Sequence, residues 1–244
     1  MRRFVGAVLI PAFVVLTFVA AGAQPTGAPI FQWSTITDLL RGVYDGQATF
    51  RDLKQHGDFG IGTVNGLDGE MVASDGQFYQ IKSDGKVYPI QDSEKTPFAT
   101  VLFFKPDRKL ELKGVHDLGE LQKFLDGQIT NLDVMYAIRI TGKFRHARVR
   151  SVPRQQKPYP DLNAALRDQT VFELRDIDGT LVGFRFPNSM AGVNVPGYHF
   201  HFISRDKKSG GHVLGCDMES GEAELACTSA LNLKLIGITD SSAP

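Results

Sequence analysis

Four of the six Asp-Gly pairs in this chain constrain it more than any other feature of its sequence. Asp68-Gly69, Asp75-Gly76, Asp84-Gly85 and Asp178-Gly179 each fall between short runs rich in β-branched and aromatic residues. Both residues of such a pair tolerate a positive φ, so Asp-Gly between apolar runs predicts a tight hairpin. From Phe59 onward the pattern therefore implies a meandering, mostly antiparallel sheet. Further strands are expected at 100–104, 137–140, 145–152, 170–175, 180–186, 197–204, 212–217, 222–228 and 230–238. Helical spacing is confined to short stretches: 35–44, with Thr35 or Thr37 as cap, then 49–56, 117–127 and 162–167.

The three prolines within 153–161 suggest a boundary. It divides the chain into an N-terminal mixed-sheet domain, 24–152, and a C-terminal β domain, 153–244. The expected class is α/β in the α+β sense: two sheet-rich units with a few short helices, the second barrel-like. With 27 basic and 27 acidic residues, no general positive surface invites nucleic acid.

The N-terminus reads as an address. Arg2 and Arg3 precede an apolar run from Phe4 to Ala21, and Ala21-Gly22-Ala23 closes it with small residues. That order is a secretory signal peptide, residues 1–23, with cleavage after Ala23 and a periplasmic or extracellular destination. Pro11 in the run argues against a retained membrane anchor.

Three of the six histidines fall within Gly197-Tyr-His-Phe-His-Phe-Ile-Ser204 and the segment that follows it. Alternation along a strand puts His199 and His201 on one face, with Tyr198, Phe200 and Phe202 on the other. A hairpin centred between Asp206 and Lys207 sets His212 across from His201, with His199 its diagonal neighbour. Three convergent imidazoles suit a catalytic zinc with open positions, although iron, copper and nickel also accept imidazole. His56, His116 and His146 lack such company and read as surface or core residues. Cys216 shares the parity of His212, but four strand residues place it about 13 Å away, beyond direct ligation. With Gly221 near the midpoint, a second hairpin is expected to bring Cys216 and Cys227 together, and export then favours a disulfide between them.

These motifs resemble those of the α-acetolactate decarboxylase family. Gly197-Tyr-His-Phe-His-Phe-Ile-Ser204 with Ser209-Gly-Gly-His-Val213 resembles its metal-binding signature. His56-Gly-Asp-Phe-Gly-Ile-Gly-Thr63 and Leu67-Asp-Gly-Glu-Met71 resemble its N-terminal one. Phe78-Tyr-Gln80, Thr96-Pro-Phe-Ala99, Tyr136-Ala-Ile-Arg139, Lys157-Pro-Tyr159 and Gly179-Thr-Leu-Val-Gly-Phe184 follow in the same order. The resemblance implies a two-domain, usually dimeric enzyme that holds zinc on His199, His201 and His212 and converts 2-acetolactate to acetoin and carbon dioxide. It places the family's active-site glutamate at Glu70, a pocket threonine at Thr63 and the catalytic arginine at Arg150, with Arg148 as competitor. The family also carries a glutamate in a longer C-terminal tail. Residues 237–244 offer no match to it, and Asp240 is left unassigned.

Loss of carbon dioxide from a 2-hydroxy-3-oxo acid needs an electron sink, which a divalent ion supplies as a Lewis acid without an organic cofactor. Arg150 is expected to position the carboxylate, and Glu70 or a water to deliver the proton. Two other readings compete. His-x-His also opens the cupin oxygenase motif, but Arg205 and Asp206 stand where that motif places a glutamate. A non-catalytic exported metal-binding protein is the third.

Overall fold

A computed structural model describes residues 27–236. The signal-peptide reading and Asp240 fall outside the described residues. The first part of the chain forms β1 (Ile30–Trp33), α1 (Ile36–Leu40), β2 (Ala48–Thr49), α2 (Phe50–Lys54), β3 (Phe59–Thr63), β4 (Glu70–Ser74), β5 (Gln77–Ile81), β6 (Val87–Pro89), β7 (Lys95–Thr96) and β8 (Ala99–Leu102). The rest forms β9 (Arg108–Val115), α3 (Leu118–Gln128), β10 (Met135–Ser151), α4 (Leu162–Ala165), β11 (Thr170–Phe186), β12 (Gly197–Ser204), β13 (Gly210–Thr228) and β14 (Leu231–Lys234).

Two sheets dominate. One has seven strands in the order β14-β1-β8-β3-β4-β5-β6; the other has the order β10-β11-β12-β13-β9. In the second, β10 also pairs with β13, which closes β10, β11, β12 and β13 into a ring. The sheet-rich α+β class and the barrel-like second unit hold. The sheets do not divide the chain at Pro153, however. Membership switches between Leu102 and Arg108, and β14 returns from the C-terminal side to pair in parallel with β1.

The two sheets are joined by an apolar layer. Phe59, Ile61 and Val72 of the first meet Val182, Phe184 and Ile203 of the second. Inside the ring a second core gathers Phe144, Leu181, Phe202 and Val213, roofed by Leu121 and Leu125 of α3. Phe202 is fully buried and meets Phe144 edge-on at 5.1 Å, and burying such a ring is worth about 2–3 kcal/mol. Local signals fix the helices. The Thr35 hydroxyl accepts from the Asp38 amide to cap α1, and Thr49 with Asp52 forms a reciprocal box at the start of α2.

Several turn expectations are revised. Asp75-Gly76 is the two-residue hairpin turn anticipated, both residues having positive φ. Asp178-Gly179 is no turn: β11 runs unbroken through it for 17 residues. Gly179 is there because a Cβ would collide with the Phe202 ring. Gly221 likewise lies inside the 19-residue β13, packed against Gly142 of β10, rather than at a hairpin tip. This overturns the Cys216–Cys227 disulfide. The two thiols are free, and they lie eleven residues apart along one continuous strand, at about 3.3 Å of rise per residue, too far to bond.

Candidate metal centre

The β12–β13 hairpin has the anticipated register. His201 lies opposite His212, followed by Phe202 with Gly211 and Ile203 with Gly210. Only these three pairs form, although both strands continue. Beyond His201 and His212 the strands part, and the His199 ring swings across the opening to bring its Nε2 to 3.1 Å from His212 Nδ1. Gly211 permits the register: at φ 146° it lies against the Arg150 carbonyl, where a Cβ would come within 2.5 Å.

The three imidazoles offer ligand atoms that all lie within 4.8 Å of one another. His201 is buried; its Nδ1 meets the Met71 carbonyl oxygen at 2.8 Å. As that carbonyl can only accept, Nδ1 carries the proton and the Nε2 lone pair is left free, the orientation that metal-ligating histidines use. His201 Nε2 and His199 Nδ1 are buried without any hydrogen-bond partner. Two nitrogens bound tetrahedrally at 2.0–2.1 Å stand about 3.4 Å apart, close to the His199–His212 spacing. The three residues therefore fit one divalent ion.

Glu70 lies beside them at the first position of β4, directly across from Thr63 of β3. Glu70 Oε2 is 3.3 Å from His201 Nε2, and its Oε1 accepts from Arg150 Nη1 at 2.9 Å. Arg150 comes from β10, where it is the cross-strand neighbour of His212. Arg148 shares its parity but is half exposed and paired with Glu173 at 3.2 Å, away from the cluster. Thr63 donates its hydroxyl proton to the Gly69 carbonyl at 2.6 Å, so that its oxygen faces the cavity as an acceptor.

Burial sets the electrostatics. Desolvation pushes the Glu70 carboxyl above the usual range, and the Arg150 guanidinium pulls it part of the way back. Desolvation lowers His201 to about 3, with Arg150 adding to the effect and the Met71 carbonyl opposing it. His199 and His212 are also driven well below the ordinary imidazole value, first by desolvation and then by neighbouring imidazoles and Arg150. All three are neutral near pH 7, the form that binds metal.

A cavity of about 110 Å³ opens over this cluster. Its floor is the three histidines, Glu70, Arg150 and Thr63; its walls are apolar, from Ile36 and Leu39 of α1, Leu67, Phe98, Val152, Leu162 of α4 and Val195. Every site residue expected from the sequence except Cys216 and Cys227 is thus brought together. Sequence reasoning missed the wall. Only the apolar stripe of Ile36 and Leu39 hinted at it, and a stripe alone does not distinguish a cavity from a core. His56 stacks on Phe31, His116 meets Arg145 and His146 meets Glu173, all elsewhere.

Fold and site together define a class: a sheet-rich α+β protein with a three-histidine centre, a buried carboxylate–guanidinium pair and a small, mostly apolar cavity. Residues 30–240 match the family model described as alpha-acetolactate decarboxylase. A protein of that name from Methanosarcina mazei is 50% identical over 206 residues, 84% of this chain and 72% of its own. One from Methylococcus capsulatus is 48% identical over 84% of this chain and 79% of its own. The crystal structure of alpha-acetolactate decarboxylase from Bacillus subtilis strain 168 superposes with a TM-score of 0.84 at 38% identity, covering 86% of this chain and 90% of that one. The chain belongs to the alpha-acetolactate decarboxylase family, a family of carboxy-lyases.

Proposed function

We propose that the chain is a metal-dependent decarboxylase that converts 2-acetolactate to acetoin and carbon dioxide, with His199, His201 and His212 as metal ligands. The observation that carries this reading is the convergence of three neutral imidazoles beside the Glu70–Arg150 pair, on the floor of a cavity sized for a small acid. Family membership supplies the substrate.

The reaction cleaves the bond between carbons 1 and 2, moves its electron pair into the adjacent ketone and returns a proton to carbon 2. A divalent ion, zinc by ligand preference, supplies Lewis acidity toward the substrate's hydroxyl and ketone oxygens when bound. Arg150 receives the carboxylate. One of its N–H groups is spent on Glu70, which fixes the guanidinium plane, while the remaining donors stay free for a second carboxylate. So held, the carboxylate can be oriented with its bond to carbon 2 standing across the ketone plane, as overlap requires. Thr63, its proton committed to Gly69, can only accept, which suits the substrate hydroxyl. Glu70, whose carboxyl burial pushes above its ordinary value while Arg150 opposes the rise, is the group placed to return the proton to carbon 2. The apolar walls exclude water and receive the two methyl groups.

We further propose export with cleavage after Ala23, and assembly as a homodimer. Among the described residues no helix is long and apolar enough to cross a membrane. Mass-spectrometric sequencing of the exported protein tests the first and light scattering the second. For the reaction itself, purified protein is incubated with racemic 2-acetolactate before and after chelation. Acetoin formed only by the metal-loaded protein supports the reading; metal binding without acetoin contradicts it.

A further inference from the structure

The β3–β4 connection holds a conformation that the residue at its centre does not favour. An Asp68-Gly69 turn is expected from the sequence, but the positive φ values fall on Gly66 (77°), Leu67 (52°) and Gly69 (77°). Gly66 and Leu67 occupy two successive positive-φ positions inside a turn closed by the Asp68 amide donating to the Val64 carbonyl at 3.1 Å, and leucine stands where glycine or asparagine is the usual occupant. A branched side chain there is strained and persists only where its surroundings over-determine it.

The surroundings do so. The Gly66 amide donates to the Tyr44 carbonyl at 2.8 Å, and the Gly66 carbonyl receives the Gln155 amide at 2.7 Å. Gly69 donates to Val152 at 3.0 Å, and the buried Gln80 amide donates to the Asp68 carbonyl at 2.5 Å. Those bonds are all made by backbone atoms of the turn, so they would hold a glycine at position 67 equally well. What leucine adds is its side chain, which is 5% exposed and lines the cavity between Phe98 and Val152.

We propose that Leu67 is a specificity-determining residue, whose side chain limits the size of the substituent on carbon 2 of a 2-hydroxy-3-oxo acid. The inference rests on the reaction proposed above. Carbon 2 must lie beside Glu70 to receive its proton, and Leu67 is the apolar side chain on the turn that leads directly into Glu70. The substituent that carbon 2 bears therefore meets Leu67, while the far end of the acyl group meets the wall formed by α1 and α4.

The test compares Leu67→Ala and Leu67→Gly with the wild type on three substrates: 2-acetolactate, its homologue with propyl in place of the 2-methyl group, and its homologue lengthened at the acyl end. Removing a wall worth two or three methylenes is expected to raise kcat/KM for the 2-propyl homologue relative to 2-acetolactate at least tenfold, with no comparable gain for the acyl-lengthened one. Thermal unfolding gives a second readout. Leu67→Gly is expected to melt above Leu67→Ala, reversing the usual order, because glycine alone is unstrained at this φ. Leu67→Val, close in size but β-branched, is expected to melt below both. An unchanged substrate ratio in variants that still make acetoin, or a gain confined to the acyl-lengthened substrate, overturns the assignment to Leu67. A wild type that makes no acetoin overturns the parent reaction and this inference with it.

Discussion

The Glu70–Arg150 pair offers the sharpest energetic test of the site. Their side chains are 9% and 12% exposed and meet at 2.9 Å. At an effective dielectric of about 20, that separation corresponds to about 5–6 kcal/mol of attraction, most of it offset by desolvation of both ions. Arg150→Met retains the stem and removes the charge, which strands a buried carboxylate. Breaking one side of such a pair costs about 3–5 kcal/mol. Arg148→Met is the control: its partner Glu173 is half exposed, so the loss is expected below about 1 kcal/mol with decarboxylation unchanged. The assay is urea unfolding of metal-free protein at pH 7.5, completed as a cycle with Glu70→Gln and the double variant. The double variant is expected to recover at least 2 kcal/mol over the sum of the singles, since it leaves no lone buried charge. A cost under 1 kcal/mol for Arg150→Met, or strict additivity in the cycle, refutes the pair as described. Equal effects at Arg148 and Arg150 refute the choice between them.

Other consequences follow from the same structure. His201 is buried with its pKa lowered to about 3, whereas unfolding restores a value near 6.5. Its contribution to stability is therefore present above pH 6.5 and is lost as pH falls toward 3, by up to about 1.4 kcal/mol per pH unit. Chelated protein is expected to lose stability steadily between pH 7 and pH 5, and His201→Gln to lose less; identical slopes in the two proteins contradict this. Titration with a thiol reagent under non-reducing conditions is expected to find two free cysteines, the half-exposed Cys227 reacting quickly and the buried Cys216 slowly. A protected pair released only by reductant contradicts the strand path of β13. Thr49→Ala removes both hydrogen bonds that its hydroxyl makes with Asp52 at the start of α2. It is expected to cost about 1 kcal/mol in chemical denaturation, and no measurable loss means that α2 is held by packing alone.

What could be read in advance was local. The His201–His212 register follows from hairpin symmetry about a polar, glycine-rich turn, and the Asp75-Gly76 turn from its own φ preferences. What could not be read depended on distant partners. Gly179 and Gly221 look like turn residues, yet each sits mid-strand because a ring or another backbone passes too close for a side chain. A turn at either position would cut a strand of 17 or 19 residues in half, and the expected Cys216–Cys227 disulfide depends on a hairpin that does not exist. β9 carries a legible signal that the expected strands omit: Arg108-Lys-Leu-Glu-Leu-Lys113 alternates charged with apolar residues, the pattern of a half-buried strand at the edge of the ring sheet. The cavity walls come from α1, α4 and the segment before β12. Their sequences show only that they bury apolar residues, not that the space they enclose stays open.

The central claim is that His199, His201 and His212 hold one divalent ion and that decarboxylation depends on it. Chelated protein titrated with zinc, with bound metal and acetoin formation measured on the same samples, tests it most directly. Activity is expected to be absent without metal, to rise in proportion to bound zinc and to level off at one ion per chain, with His201→Ala neither binding nor turning over. Full activity in metal-free protein, or in His201→Ala, would contradict the account.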